Sequence, residues 1–166
     1  MAIEGGHTAV YPGTFDPFTN GHLDLIRRAR KIFPKVIVAV GPNPAKEVLF
    51  TVKDRLEMIR QSVRRIRSVE VASFEGLIVD FLRKKRAHVI LRGIRTFSDY
   101  EYEFQMALTN RSISQAVETV FIMPAEEYSY ISSRLVKEVA GHGGDVSAFV
   151  PAPVLRRLRK MLDKKR

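Results

Sequence analysis

The sequence predicts a single α/β domain, residues 1–166, with a doubly wound, five-stranded parallel sheet of the Rossmann-like type. Short apolar runs alternate with segments of helical periodicity along the chain, which is typical of parallel α/β folds. Residues 36–40 are apolar without a break, as expected for a parallel strand covered on both faces. No internal repeat or linker interrupts the alternation, so the 166 residues are expected to form one unit.

The first strand and the first helix are joined by the most informative stretch, residues 11–22. The apolar run at residues 8–11 predicts the strand. The helix is predicted by apolar residues at helical spacing, Leu23, Ile26, Ala29 and Phe33. Such a connection lies at the carboxyl edge of the sheet, where open α/β folds bind ligands, and the free N–H groups that begin a helix favour phosphate.

The remaining elements are predicted in the same alternating order. Further strands are expected at residues 36–40, 69–72, 88–91 and 120–123. Further helices are expected to begin near Thr51, Leu77, Ser98, Ser132 and Pro151. Thr51 and Ser98 open segments of capping-box form, with an acidic residue three positions later. The helix from Thr51 is expected to reach Ile66, and Gly141 is expected to end the helix that Ser132 begins.

Composition narrows the function classes. Lysine and arginine number 28 against 18 acidic residues, so the formal net charge is +10 and the protein attracts anions. The chain has no cysteine, which excludes disulfides and thiolate zinc sites. Its first residues do not resemble a signal peptide, and no apolar run approaches the 18 residues of a membrane span. We therefore expect a soluble, cytoplasmic protein without a membrane partner.

Cations and hydrogen-bond donors follow the predicted strands. Because the carboxyl ends of parallel strands share one edge, these side chains are expected to meet there: Thr14, His22, Lys46, Arg92, Arg95, Ser132 and Ser133. The set contains no nucleophilic cysteine and no pair of acids, so it suits phosphoryl or nucleotidyl transfer, in which positioning and electrostatics supply most of the catalysis. Neither G-x-G-x-x-G nor a P-loop motif is present, which argues against dinucleotide redox enzymes and P-loop kinases.

Residues 19–22, Thr-Asn-Gly-His, match the [HT]-x-G-H signature of the nucleotidylyltransferase superfamily. The motif Tyr-Pro-Gly-Thr-Phe-Asp-Pro precedes it, and residues 92–95, 99–103 and 131–139 carry further motifs in the same order as in one family. From about residue 8 to residue 150 the sequence closely resembles the bacterial phosphopantetheine adenylyltransferases. The resemblance implies transfer of the adenylyl group of ATP to 4′-phosphopantetheine, giving dephospho-coenzyme A and pyrophosphate, by direct in-line attack of the substrate phosphate on the α-phosphate.

The resemblance also implies roles for individual residues. The catalytic residues would be His22, Thr14, Lys46 and Arg95. Residues binding phosphopantetheine would be Thr14, Lys46, Leu77, Ile78 and Arg92. Residues contacting ATP would be Thr14, Phe15, His22, Gly93, Ile94, Arg95, Glu103, Tyr128, Ser129, Tyr130, Ile131, Ser132, Ser133 and Arg134.

Cofactor and partners follow from the same resemblance. It implies Mg²⁺ held mainly by ATP phosphate oxygens rather than by a protein metal site, a homohexamer, and coenzyme A as a feedback ligand. Tyr100, Tyr102 and Phe104 are expected in the core or in a subunit interface. The sequence departs from the family pattern at three positions outside the core motifs, Glu47, Arg134 and Gly141.

Two other functions compete with this one. Another small-molecule nucleotidylyltransferase would share the Thr-Asn-Gly-His motif but lack the combination of residues 92–101 and 131–138 found here. A basic nucleic-acid-binding module would explain the +10 charge and would bind with a steep salt dependence, yet the chain carries no recognised nucleic-acid motif. We therefore expect ATP and 4′-phosphopantetheine, and no nucleic acid, as partners.

Overall fold

The protein folds around a parallel sheet that is covered on both faces, in a computed structural model that describes residues 8–42 and 47–163. The strands are β1 (Thr8–Gly13), β2 (Lys35–Val40), β3 (Val69–Ser73), β4 (Val89–Gly93) and β5 (Glu118–Ile122). The helices are α1 (Asn20–Ile32), α2 (Val52–Val63), α3 (Ile78–Lys85), α4 (Phe97–Ile113), α5 (Ser133–Gly141) and α6 (Ala152–Asp163). The predicted α/β class and five-stranded parallel sheet are confirmed.

The order of the strands creates a crevice beside β1. The sheet runs β3-β2-β1-β4-β5, with each neighbouring pair parallel. The chain therefore builds outward from β1 to β3 and then crosses back to place β4 on the other side of β1. Ligands bind open α/β sheets at such a reversal, outside the carboxyl ends of the strands. The connections after β1 and β4 consequently flank one crevice.

Side chains of β2 explain the unbroken apolar run at residues 36–40. Val36, Val38 and Val40 pack into the larger of two buried clusters, while Ile37 and Ala39 pack into the other. Successive strand residues point to opposite faces, so a strand covered on both sides must be apolar at every position. The two clusters are the two layers of core that hold the sheet between its helices.

Two predicted helix boundaries are wrong. The helix expected at Ser98 begins at Phe97, with Thr96 as N-cap, because the Thr96 hydroxyl accepts the Asp99 N–H at 3.2 Å. The Ser98 hydroxyl contacts the Thr96 hydroxyl instead, at 3.0 Å. The helix capped by Thr51 ends at Val63 rather than reaching Ile66. Ile66 still packs against the core, from a turn in which its N–H donates to the Val63 carbonyl at 2.8 Å.

Helix α4 carries large apolar side chains, on more than one side, that this chain does not cover. Tyr100, Tyr102 and Phe104 are 41%, 62% and 44% exposed, so of the two places expected for them the core of this chain is excluded, and a subunit interface stays a prediction. Further along the helix Leu108 is 49% exposed. Among the described residues, no helix is both long and apolar enough to span a membrane.

Candidate active site

The Thr19-Asn20-Gly21-His22 segment forms a reciprocal cap at the start of α1. The Thr19 hydroxyl accepts the His22 backbone N–H at 3.3 Å, and His22 Nδ1 accepts the Thr19 backbone N–H at 3.0 Å. This is a capping box in which histidine stands where glutamate or glutamine is usual. The spacing of the motif is therefore set by helix geometry, because N-cap and N3 are the positions whose side chains and N–H groups can exchange these bonds.

That cap fixes the tautomer of His22. Since Nδ1 accepts a hydrogen bond from a backbone donor, it carries no proton, and the proton of the neutral ring is on Nε2. The ring is half-buried among aromatic side chains, with centroid distances of 5.1 Å to Phe15 and 5.5 Å to Phe18. Burial, and then the positive charges of Arg95 and Arg92, lower the pKa of His22 to about 3. His22 is thus a neutral hydrogen-bond donor near neutral pH.

Arg92, at the end of β4, is held by two neighbours. Its guanidinium binds both carboxylate oxygens of Glu103, with Nε donating to Oε2 at 2.7 Å, and its Nη1 donates to the Pro12 carbonyl at 2.7 Å. Burial opposes the charge of Arg92, but the Glu103 carboxylate outweighs it and raises the pKa of the guanidinium. The pair links β4 to α4 and to the end of β1, so Arg92 is a fixed cation beside the crevice.

Arg95, in the connection after β4, spans the crevice between α4 and the segment before α5. Its Nε donates to Asp99 Oδ2 at 3.1 Å, and its Nη1 donates to the Ile131 carbonyl at 2.9 Å. The first contact anchors Arg95 to the first turn of α4, and the second ties the connection after β4 to the segment that leads into α5. Arg95 is more exposed than Arg92, so one of its faces is available to a ligand.

Two glycines allow close packing beneath the site. A Cβ on Gly13 would lie 2.8 Å from the Phe15 ring, and a Cβ on Gly93 would overlap Leu25 Cδ1. The absence of a side chain at Gly93 therefore serves the packing of α1 on β4. Phe15 is only 3% exposed, with its backbone in the left-handed region at φ 51°. Its ring supports His22 from the core, so a contact between Phe15 and a nucleotide must come from its backbone.

The segment before α5 closes the crevice on the β5 side. Ser132 is the N-cap of α5, accepting the Leu135 N–H at 3.0 Å, and the Ser133 hydroxyl donates to the Pro17 carbonyl at 2.8 Å. Ile131 is buried, while Tyr130 and Arg134 are exposed. Tyr128 packs beside Gly21, whose added Cβ would meet the Tyr128 Cβ and carbonyl at 3.6 Å. The predicted segment 128–134 therefore lies beside the start of α1.

Hydrogen bonds thus join three of the predicted groups: the turn after β1, the end of β4, and the segment before α5. Leu77 and Ile78 stand apart from these bonds at the start of α3, where Leu77 is 53% exposed. Lys46 lies outside the described residues. Ile94 extends the sheet edge, its N–H donating to the Ile122 carbonyl at 3.3 Å.

Three charged residues that sequence reasoning gave no role also surround the site. Asp16 and Arg55 are each 3% exposed, and Lys137 on α5 lies 3.1 Å from Asp16 Oδ2. A signal for Arg55 was available, because it shares a helical face with the buried Met58 and Ile59 at i+3 and i+4. Asp16 was visible only as part of a motif, and its partners come from distant parts of the chain.

The chemistry open to this arrangement is the binding and positioning of phosphates. A helix N-terminus without an acidic residue in its first turn, a neutral N–H donor and two fixed guanidinium groups flank one crevice. Within residues 8–42 and 47–163, no three histidine or carboxylate side chains come together as a metal-binding group. The cations and N–H donors at the crevice therefore suit a polyphosphate ligand.

Two comparisons with known protein sequences give matches. Residues 10–139 match the cytidylyltransferase-like family. The sequence is 52% identical, over 158 residues, to a phosphopantetheine adenylyltransferase from Azoarcus sp. (strain BH72), covering 95% of this chain and 97% of that protein.

Solved structures with lower identity resemble the fold. A bifunctional NMN adenylyltransferase/ADP ribose pyrophosphatase from Francisella tularensis superimposes over 96% of this chain with a TM-score of 0.71 at 18% identity. This chain spans half the length of that protein. A lipopolysaccharide core biosynthesis protein from Thermoplasma volcanium covers 74% of this chain and 100% of its own, with a TM-score of 0.55 at 19% identity. At these identities the likeness concerns the fold alone.

Proposed function

This chain belongs to the cytidylyltransferase-like family and, within it, to the phosphopantetheine adenylyltransferases, and we propose that it transfers the adenylyl group of ATP to 4′-phosphopantetheine. The products are dephospho-coenzyme A and pyrophosphate, so the protein acts in coenzyme A biosynthesis. The observation that carries the proposal is the neutral His22 donor, fixed by Thr19 at a helix N-terminus and flanked by Arg92 and Arg95. Identity to the Azoarcus enzyme supports the choice of substrate.

The reaction needs no protein nucleophile. A phosphate monoester has its second pKa near 6, so the acceptor is mostly a dianion at neutral pH and no general base has to remove a proton. One of its oxygens bonds to the α-phosphorus of ATP as the bond from that phosphorus to the pyrophosphate oxygen breaks. The protein must therefore hold two anions in line and stabilise the charge that builds on the α-phosphate.

In this proposal His22 donates from Nε2 to an oxygen of the reacting phosphates, and Arg95 neutralises charge on the leaving pyrophosphate. Thr14 and Lys46 orient the attacking phosphate, with Arg92 as a second cation, while Leu77 and Ile78 contact the pantetheine arm. Gly93, Ile94 and the segment 128–134 enclose the nucleotide. Glu103 binds Arg92 with both of its carboxylate oxygens, so we assign it to holding that cation rather than to a direct ATP contact.

The proposed cofactor is Mg²⁺, which would neutralise phosphate charge when it is bound. The residues fit a metal held by ATP phosphate oxygens, because the cations and neutral donors at the crevice are ligands for phosphate rather than for a metal ion. Of the Francisella structures, one is described as complexed with AMP and an Mn ion. A cytoplasmic location belongs to the same proposal, as do a feedback role for coenzyme A and the lack of nucleic-acid partners.

The family resemblance is the basis for the proposed homohexamer, and the surface of α4 supports association between subunits. Tyr102, Phe104 and Leu108 expose large apolar side chains on more than one side of α4, and exposed apolar surface commonly marks contacts between proteins. We propose that subunits associate through this helix. Light scattering in solution measures the mass of the assembly and so tests the proposed homohexamer.

The function is tested by measuring pyrophosphate release from ATP with and without 4′-phosphopantetheine, and by identifying the adenylylated product by mass. Release that requires the acceptor, with dephospho-coenzyme A as product, is the expected result. Release only with nicotinamide mononucleotide or glycerol phosphate would keep the superfamily and reject the substrate. Absence of release with every acceptor would contradict an enzymatic function.

A further inference from the structure

Two buried charges beside the site take no part in the proposed chemistry. The buried polar or charged residues among those described are Asp16, Thr19, Arg55, Glu103 and Asn110. Thr19 caps α1 and Glu103 holds Arg92, so both already have a place in the site. Asn110 carries no charge, so the buried charges without a place are Asp16 and Arg55. Burying a charge is unfavourable unless hydrogen bonds compensate it. The hydrogen bonds of Asp16 and Arg55 therefore indicate which segments these side chains stabilise.

Asp16 joins three separate segments through one carboxylate. Its Oδ2 accepts the Leu49 N–H at 2.8 Å, and its Oδ1 accepts the Phe50 N–H at 2.9 Å. Lys137 of α5 donates from Nζ to the same Oδ2 at 3.1 Å. Asp16 thus links the turn after β1 to the chain that enters α2 and to α5.

Arg55 completes the connection from the opposite side. Its Nη1 donates to the Thr14 carbonyl at 2.7 Å, and its Nε donates to the Phe50 carbonyl at 3.0 Å. Thr14 and Phe50 are therefore bridged by Arg55, while Phe50 is bridged to Asp16 through its N–H. The two side chains hold residues 14–16 in a closed ring of hydrogen bonds against the start of α2.

We propose that Asp16 is a positioning residue, which with Arg55 and Lys137 holds Thr14 in register with His22 for phosphate attack. The inference rests on the proposed function, because Thr14 is assigned there to orient the acceptor phosphate. Reactive geometry is sensitive to displacement, and a misplacement of about 1 Å can lower a rate about 100-fold. Asp16 itself touches no substrate in this account.

Asp16→Asn is the direct test, because the amide keeps the size of the side chain but loses one acceptor. In one orientation its NH₂ group faces the Leu49 N–H and Lys137, and in the other it faces the Phe50 N–H. We expect kcat to fall about 100-fold at saturating substrates, with the Kd for ATP changed less than about threefold. With ATP bound, amide hydrogen exchange at Leu49 and Phe50 should be faster in Asp16→Asn than in the wild type.

A second pair of variants keeps the proposal open to refutation if Asp16→Asn does not fold. Lys137→Met removes one partner of Asp16 and should lower kcat, and Lys137→Arg should recover most of it because a cation again reaches Oδ2. Glu70→Gln is the matched control, since Glu70 on β3 is likewise a carboxylate paired with lysine, here Lys35 and Lys85, but lies away from the crevice. Its kcat should equal that of the wild type.

Unchanged kcat in a folded Asp16→Asn protein, with only its melting temperature lowered, would overturn the inference and leave Asp16 a purely structural residue. Equal losses for Lys137→Met and Lys137→Arg would also overturn it. If the wild-type protein uses another phosphorylated acceptor, the proposed substrate is wrong. The kcat and hydrogen-exchange measurements are then repeated with that acceptor, and they test the role of Asp16 independently of the substrate. A wild type that shows no turnover with any acceptor contradicts both.

Discussion

Replacing His22 by glutamine separates its two roles, because glutamine at N3 is a standard partner in a capping box. The amide oxygen of the introduced glutamine accepts the Thr19 N–H as Nδ1 does, so the start of α1 keeps its reciprocal bond. The variant loses the imidazole Nε2–H, which is the donor proposed for the reacting phosphates. His22→Gln therefore tests the catalytic role with the helix cap preserved.

The expected magnitude follows from that loss. Removing one preorganised donor to a transition-state oxyanion lowers kcat by about 10²–10³, or roughly 3–4 kcal/mol. The cap in His22→Gln is retained, so its free energy of unfolding should stay close to that of the wild type. His22→Ala loses the same donor and also the bond to Thr19, which adds a stability loss of about 1 kcal/mol and lowers Tm by about 2–4 °C.

Turnover is measured as pyrophosphate release at saturating substrates, and stability by urea unfolding of the same preparations. We expect the two variants to lose similar activity and His22→Ala to lose more stability. A His22→Gln protein that keeps more than about a tenth of the wild-type kcat would refute the donor role. Equal stability losses in both variants would refute the reciprocal cap.

Three further predictions concern charge, packing and association. The pKa of His22 is about 3 in the folded protein and about 6.5 in the unfolded chain, so the unfolded state binds more protons between these values. The free energy of unfolding should therefore fall as pH falls from 6.5 towards 3, and it should fall less in His22→Gln. Gly93→Ala should lower the free energy of unfolding by about 1–3 kcal/mol through overlap with Leu25, and Leu25→Ala in the same chain should remove most of that added cost. Tyr102→Glu with Phe104→Glu should convert the assembly into smaller species by light scattering, because charge replaces exposed apolar area.

Controls make these outcomes decisive. Gly141→Ala has open space around the added methyl and should stabilise the protein by up to about 1 kcal/mol, in contrast to Gly93→Ala. An equal loss from both alanines would contradict the packing argument. An acid-stability curve identical in wild type and His22→Gln would contradict the neutral state of His22, and an unchanged mass in the double glutamate variant would exclude α4 as the contact surface.

The sheet and the first helix were predictable because each depends on local periodicity. The apolar run at residues 36–40 predicted a strand buried on both faces, and its side chains do alternate between two core layers. The position of His22 at the start of α1 was also predictable, since the apolar residues that follow have helical spacing. The N-cap of α4 was not predictable, because Thr96 and Ser98 both offer hydroxyl groups and the local backbone selects Thr96.

The interior of the site was less accessible to sequence reasoning. The pairing of Arg92 with Glu103 joins a strand end to a helix 11 residues later, and the contacts of Asp16 join residues 33 to 121 positions apart. Such pairs depend on how the strands are ordered, and strand order is fixed by the packing of whole elements rather than by any local segment. Tyr102 and Phe104 illustrate the same limit, since apolar helix residues can be covered by the same chain or by another.

The most direct test of the account is the stereochemistry at the α-phosphorus of ATP. The protein is given 4′-phosphopantetheine and ATP in which a sulfur replaces one α-phosphate oxygen in a known configuration, and the configuration of the product is determined. Direct in-line attack by the acceptor phosphate predicts the sulfur-substituted dephospho-coenzyme A with inverted configuration. Retained configuration would reveal an adenylylated protein intermediate and contradict the account. Pyrophosphate release that does not depend on 4′-phosphopantetheine would contradict it as well.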